Sequence, residues 1–360
     1  MSEESFLAGM ERAPLEACDD ADSFLQSRFW GLFKAAFGWT PLAFTADWGT
    51  FGSKPLLVIS RPLAAGLSFA YVPWGPELPR GFPGGPGPRR AALLETARAL
   101  RPFLPKSTCF VRFDPHWEAM PAVPASPLAP PLRKAGADVQ PPDTVLVNLA
   151  QTEEALLAGM KPKCRYNVHL SGRKGVAIRE AGAAGLESFY RLLTVTAARD
   201  GIAVHSRGYY ETLFRLAAEG TGRERALCYL ASHEGDDLAA AVVLQRGPHA
   251  VYLYGASSDR KRNLMAPYGL QFRAMLDAKA AGCVDYDLFG IPPDDNPAHP
   301  MAGLYRFKTG FGGAVVLGQG SCDYPYKPLW ASLFRAAEKV RRARRTARRA
   351  ARPRATSSAE

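Results

Sequence analysis

The stretch AVYLYGASSDRKRNLMAPYGLQFRAMLDAKAAGCVDYDLFGIP, running from Ala250 to Pro292, decides the fold. It opens as a strand, AVYLYGASS. YGLQFRAMLDAKAAG then keeps helical spacing, and VDYDLFGIP closes the stretch as a second strand. Ahead of it come GVAIRE as a strand, helices over LESFYRLLTVTAARDG and YYETLFRLAAEG, and two antiparallel strands, RALCYLASHEG and DLAAAVVLQRG.

A strand, helices, antiparallel strands, a helix and a strand, in that order, are the grammar of an N-acyltransferase module of the GNAT type. The first half offers a shorter version. FLQSRFWGLFKAAFG is a helix; LAFTADW, PLLVIS and LSFAYVPWGP are short strands; RRAALLETARALRPFL is an amphipathic helix that feeds the strand CFVRFDP. Residues 76–88 form a Gly/Pro loop, and the Pro-rich segment from Pro115 is a long surface connection. TVLVNLA and TEEALLAGM follow as a strand and a helix, with Thr152 as N-cap and Glu153 and Glu154 placed for the helix dipole. The fold class is therefore α/β (α+β), with two GNAT-like domains in tandem. The expected boundaries are 1–145 for the first, completed by about 318–340 folding back, 146–317 for the second, and 341–360 as a basic, partly disordered tail.

The composition is that of an ordinary soluble chain: 360 residues, 47% hydrophobic and 22% charged. No apolar run is long enough to span a bilayer, and the first twenty residues are acidic where a secretory leader is basic, so a cytoplasmic protein is expected. Six scattered cysteines form no CxxC motif and are read as reduced. The net charge is +11, of which the segment from Arg335 onward carries +8. Leu329, Trp330, Leu333, Phe334, Ala337 and Val340 recur at helical spacing, so a helix starts near Pro328 and continues, rich in Ala and Arg, toward RNA or an anionic membrane face.

GNAT enzymes that use coenzyme A cradle its pyrophosphate on a glycine loop at the start of the helix after the fourth strand. Here that loop has no glycine between Gly255 and Gly269, and Pro267 removes an amide. Arg260, Lys261 and Arg262 suit a phosphate held by side chains instead.

Eight short motifs in order resemble the FemABX peptidyltransferases: Gln26-Ser27 with Trp30, Lys34 and Gly38-Trp39; Tyr71-Val72-Pro73 with Gly75-Pro76; Phe113-Asp114-Pro115; Lys163, Arg165-Tyr166-Asn167 and Gly175-Val176; Tyr254-Gly255-Ala256-Ser257-Ser258; Arg262 with Leu264-Met265-Ala266-Pro267-Tyr268; Tyr286-Asp287 with Gly290-Ile291; and Tyr305, Phe307-Lys308 and Gly310-Phe311. The match covers roughly residues 22 to 330. The resemblance implies transfer of Gly, Ala or Ser from aminoacyl-tRNA to the side-chain amine of the peptidoglycan stem peptide, carried on UDP-MurNAc-pentapeptide or a lipid-linked precursor. No charged heptad run separates Val176 from Tyr254, which resembles the compact members without a coiled-coil arm. A monomer, peripheral to the inner membrane face through its tail, is expected.

Aminolysis of an activated ester requires no cofactor and no metal. By resemblance, Lys34 and Arg262 hold substrate phosphates and Asp114 lies near the acceptor; its place at a strand end, before a proline, lets the carboxylate point into a cleft that Tyr71, Tyr254 and Tyr268 could line. Lys308, flanked by Phe307 and Phe311, acts on the developing oxyanion or the departing ribose oxygen. The glycines after it turn the chain into a strand at Ala314-Val315-Val316. Lys163, Arg165, Arg173 and Lys174 form a basic stretch for tRNA, while His169 stands where relatives carry Arg or Lys. Asp285 and Asp287 alternate on a strand, but without histidines at ligand spacing they are no metal pair. Two other classes stay open: an N-acyltransferase using coenzyme A or another small donor, and a non-catalytic RNA-binding relative.

Overall fold

A computed structural model describes residues 5–117, 130–220, 222–297, 299 and 301–350, except the side chains of 342 and 345–350. Expectations for the Pro-rich segment at 118–129 and the tail at 351–360 lie outside the described residues. The chain folds as two α/β units, one of Met1–Pro142 with Leu317–Arg345, the other built on Asp143–Val316.

The first unit contains β1 (Gly9–Ala13), α1 (Arg28–Ala35), β2 (Thr40–Asp47), β3 (Ser53–Pro62), β4 (Ser68–Pro73), α2 (Pro86–Leu100), β5 (Thr108–Asp114) and β6 (Arg133–Lys134). The second contains β7 (Thr144–Asn148), α3 (Glu153–Gly159), α4 (Pro162–Arg173), β8 (Ala177–Glu180), α5 (Leu186–Asp200), α6 (Arg207–Glu219), β9 (Glu224–His233), β10 (Asp236–Arg246), β11 (His249–Ser257), α7 (Ala266–Ala280), β12 (Asp285–Asp287), α8 (Ala302–Lys308) and β13 (Ala314–Val316). The chain then returns to the first unit with β14 (Cys322–Pro325) and α9 (Pro328–Ala350).

The first sheet runs β1-β2-β3-β4-β5-β14-β6. Its strands are antiparallel except for β4 and β5, the pair joined through α2. In β3 the run Leu56-Leu57-Val58-Ile59 is fully buried because both faces are covered. Leu56 and Val58 pack with Leu93, Ala97 and Leu100 of α2, whereas Leu57 meets α1 at Gly31. On the α1 side, Phe334 of α9 packs on Phe110, with ring centroids 5.1 Å apart.

The return of the chain is fastened by charge. Arg112 in β5 donates Nε to Asp323 of β14 at 2.7 Å and Nη2 to Glu338 of α9 at 2.7 Å. It is 2% exposed, so its charge is tolerable only because two carboxylates meet it. β1 and β14 carry no strong alternation, and their positions follow from pairing with β2 and β5.

The second sheet runs β13-β7-β12-β11-β10-β9-β8 and repeats the device: β11 and β12 are parallel and joined through α7. Ala239, Ala241 and Val243 of β10 pack against Leu270, Ala274 and Met275 of α7 and Cys164 and Val168 of α4. The alternate residues Ala240, Val242 and Leu244 face the other way, where α5 lies. Thr152 caps α3 by accepting from the Ala155 N–H at 3.2 Å, as expected. All six cysteines are free and buried.

Candidate active site

In the first unit a continuous row of side chains runs from the end of α1 to the end of β5. Lys34 stands in the last turn of α1, its Nζ 5.4 Å from the Trp30 ring centroid and 5.6 Å from that of Trp39. The Arg61 guanidinium lies 5.5 Å from the same Trp39 ring, so two cations share one indole. Burial, and then Arg61, push the Lys34 ammonium down to about 8. Two cations gathered this way favour an anion, which would relieve their repulsion.

Trp39 in turn lies 6.3 Å from Tyr71, whose hydroxyl donates to Asp114 Oδ2 at 2.9 Å. The Gln140 N–H donates to the same oxygen at 2.9 Å, and Ser321 Oγ to Oδ1 at 3.2 Å. Asp114 is only 3% exposed, which corrects the expectation that it points into a cleft. The sequence pattern marks where the strand stops, but the donors that enclose the carboxylate arrive from residues 140 and 321. Burial raises the Asp114 carboxyl above the usual range, against the pull of Tyr71, Gln140 and Ser321.

In the second unit Lys308, at the end of α8, is 6% exposed. Its Nζ donates to the carbonyl oxygens of Phe289 at 3.0 Å and Gly290 at 2.8 Å. Phe289 takes φ +57°, a conformation costly for an aromatic residue, and its N–H is held by Asp287 Oδ1 at 2.7 Å. Asp287 also accepts from Thr144 Oγ1. The strained turn thus aims two carbonyls at the lysine. Burial pushes Lys308 down to about 7, with Asp287 pulling the other way. An ammonium has three N–H donors. Two are engaged by these carbonyls, and the third is the one a reacting group can use.

Phe307 and Phe311 flank Lys308 in sequence but do not hold its ammonium. They pack edge-on at 5.2 Å, and Tyr268 joins them at 5.0 Å from Phe307. The ring under Lys308 is that of Tyr252, 5.4 Å away. For Phe307 helical geometry explains this correction, since adjacent side chains on a helix diverge. After Lys308 the chain turns at Gly312, with φ +82°, where a Cβ would collide with the Gly159 carbonyl oxygen. It enters β13, which pairs with β7.

Tyr252 and Tyr254 would share a face of an unbroken strand. A β-bulge intervenes: Val242 pairs with Tyr254 and Val243 with Tyr252, leaving Leu253 unmatched. Tyr252 therefore packs on the α7 side, its hydroxyl filling the space that a Cβ on Gly255 would need. Tyr254 turns to the opposite side and meets Tyr210 of α6 at 5.1 Å. Tyr254 and Tyr268 accordingly fall in separate aromatic clusters, and Tyr71 belongs to the first unit. Within the second unit, then, Tyr254 and Tyr268 do not line one cleft. Burial raises all three phenols.

Of the loop cations, Arg260 pairs with Asp236 at 2.9 Å, and Lys261 pairs with Glu234 at 3.0 Å and Asp236 at 3.1 Å. Two of the three expected phosphate ligands are thus engaged within the protein. Arg262 is exposed in a tight turn between left-handed Lys261 and Met265. In the basic stretch, Arg165 binds the carbonyls that end α3, at Leu157 (3.3 Å) and Ala158 (3.1 Å), which makes it a helix cap. Lys163, Arg173 and Lys174 stay exposed, with Arg173 over the Tyr166 ring. Asp285 contacts His249 at 2.7 Å, away from the partner of Asp287. Arg61 and Tyr252 are site residues that the sequence pattern does not single out, while Trp39 stands in the first quoted motif without a role assigned to it.

The FemAB family model matches residues 132–220 and 223–339. The chain is 23% identical over 244 residues to a lipid II:glycine glycyltransferase of Staphylococcus saprophyticus, covering 52% of this chain and 59% of that one. A protein of the same name from Staphylococcus epidermidis is 22% identical over 261 residues, covering 56% and 62%. The chain thus spans about three fifths of the length of these curated relatives. The crystal structure of FemX is similar in fold, with a TM-score of 0.75 at 18% identity, covering 91% of this chain and 99% of that one.

Proposed function

We propose, from the premise that the chain belongs to the FemAB family, that it is an aminoacyltransferase of peptidoglycan bridge formation. It moves Gly, Ala or Ser from aminoacyl-tRNA to the side-chain amine of the stem peptide on UDP-MurNAc-pentapeptide or its lipid-linked form. The observation that carries this reading is Lys308, buried, brought to near neutrality, and held with one N–H to spare.

The neutral amine of the acceptor attacks the ester carbonyl, and a C–N bond forms. The Lys308 ammonium stabilises the oxyanion. As the C–O bond breaks, Lys308 gives its proton to the departing ribose oxygen. It then takes the extra proton from the new amide nitrogen and ends as it began, for which a group titrating near 7 is suited. The row Lys34, Trp39, Arg61 serves the anionic part of the acceptor, and Asp114 with Tyr71 orients polar groups beside it. Arg262 supplies a further phosphate contact, and exposed Lys163, Arg173 and Lys174 offer charge to tRNA.

The test mixes purified protein, tRNA charged with labelled Gly, Ala or Ser, and either UDP-MurNAc-pentapeptide or the lipid-linked precursor. Label on the stem peptide, appearing far more slowly with Lys308→Ala, is expected. Transfer from acetyl-coenzyme A alone would overturn the proposal in favour of a small-donor acyltransferase.

A further inference from the structure

Helix α9 has two faces with different partners. Ala331 is fully buried, Phe334 packs on Phe110, and Glu338 binds Arg112, so positions 331, 334 and 338 form the docked face. On the other side Leu329 is 69% exposed, Leu333 53% and Val340 49%, and Trp330 beside them is 45% exposed. Spacings of four and seven place the first three in one stripe along the helix. Lys339 and Arg344 are exposed on the same helix, and the sequence continues with Arg345, Arg348 and Arg349. No described helix is long and apolar enough to cross a membrane.

We propose that this outer face of α9 seats the protein on an anionic lipid surface. A stripe of Leu, Leu and Val with an adjacent Trp suits the boundary between headgroups and acyl chains, and cations beside it complement anionic headgroups. RNA offers the cations an equal partner but gives the leucines none, because its phosphate backbone presents no apolar phase. The apolar stripe therefore selects the lipid surface over nucleic acid. The proposal concerns binding alone and does not depend on the transfer reaction.

The test is co-sedimentation of the full chain with vesicles of phosphatidylcholine, alone or with about one third phosphatidylglycerol, at low and high salt, with binding to uncharged tRNA measured in parallel. No transfer substrate is present, so the result is separate from the reaction. The wild type is expected to bind the anionic vesicles at least tenfold more tightly than the neutral ones, and less so at high salt. Leu333→Glu with Val340→Glu should abolish vesicle binding while leaving the melting temperature and tRNA affinity unchanged, since both side chains face solvent. Lys339→Glu with Arg344→Glu should weaken vesicle binding and flatten its salt dependence. The proposal is overturned if the wild type does not distinguish the two vesicles, or if Leu333→Glu with Val340→Glu leaves vesicle binding intact. A loss of tRNA binding by that same double substitution would assign the face to RNA instead.

Discussion

The hydroxyl of Tyr71 donates a 2.9 Å hydrogen bond to Oδ2 of Asp114, and this bond pulls against the burial that raises the carboxyl. Tyr71→Phe should let the Asp114 carboxyl rise further, moving the acid limb of kcat/KM to higher pH. An unmoved limb would mean that Asp114 does not titrate in the reaction.

The same carboxyl has a stability signature. Because its folded value lies above its unfolded one, the folded state holds the proton more tightly. Its contribution is present at low pH and lost as pH rises through the folded value. Asp114→Asn should therefore gain melting temperature relative to wild type as pH rises from the ordinary 3.8 of a carboxyl, while transfer activity falls. Thermal melts at rising pH check the first, and the labelled-transfer assay the second.

Lys308 titrates in the opposite sense. Its value is depressed to about 7 from the ordinary 10.5, so the folded chain binds fewer protons between those limits and its stability contribution is lost as pH falls across them. Lys308→Met should thus improve in relative stability from pH 10 down to pH 7, as read by thermal melts. Lys308→Ala should lower kcat by about 10²–10³-fold, the loss of one oxyanion donor. Wild-type kcat should fall above about pH 7. In Lys308→Arg, which cannot give up its proton, that limb should vanish and the remaining rate should be lower by about 10²–10⁴-fold. A fully active Lys308→Arg would reduce the lysine to a fixed charge.

Trp39 keeps Lys34 and Arg61 on the two cation contacts described for its ring. Lys34→Met should raise KM for the acceptor about 10–100-fold, the range of one charge-assisted contact, with kcat little changed. Trp39→Ala should do the same with both cations still present. Initial-rate kinetics at varied acceptor concentration separate the two parameters.

Removing one partner of Arg112 leaves a buried charge short of its mate. Asp323→Asn should destabilise the protein by about 3–5 kcal/mol in denaturant unfolding. A loss below about 1 kcal/mol would mean that Glu338 alone suffices.

Much of the fold is legible in the chain because periodicity reports burial. α5, α6 and α7 and strands β9 to β11 stand where their apolar spacing puts them. β1 and β14 are opaque because their positions depend on partners far away, β14 on a strand whose Arg112 is 211 residues from Asp323. At the site, Lys308 is visible as a lysine among aromatics, yet its true ring partner is hidden by a bulge that no alternation rule contains. Asp114 is marked by the proline after it, but its enclosure by Gln140 and Ser321 is tertiary. Arg165 shows the converse, a cation of the expected tRNA stretch whose Nη1 is used by the carbonyls that end α3.

The late arrival of β14 sets an order of events during synthesis. The whole second sheet lies within Asp143–Val316, one continuous piece of chain that can fold as soon as it leaves the ribosome, whereas the first sheet then still lacks the strand that lies between β5 and β6. At about 5–20 residues per second, Arg112 waits roughly 10–40 s for Asp323. Throughout that interval the β5 edge stands open with its guanidinium unmatched, and an open edge is a template for another chain. The first half of this protein is thus the part that offers such an edge while the chain is being made.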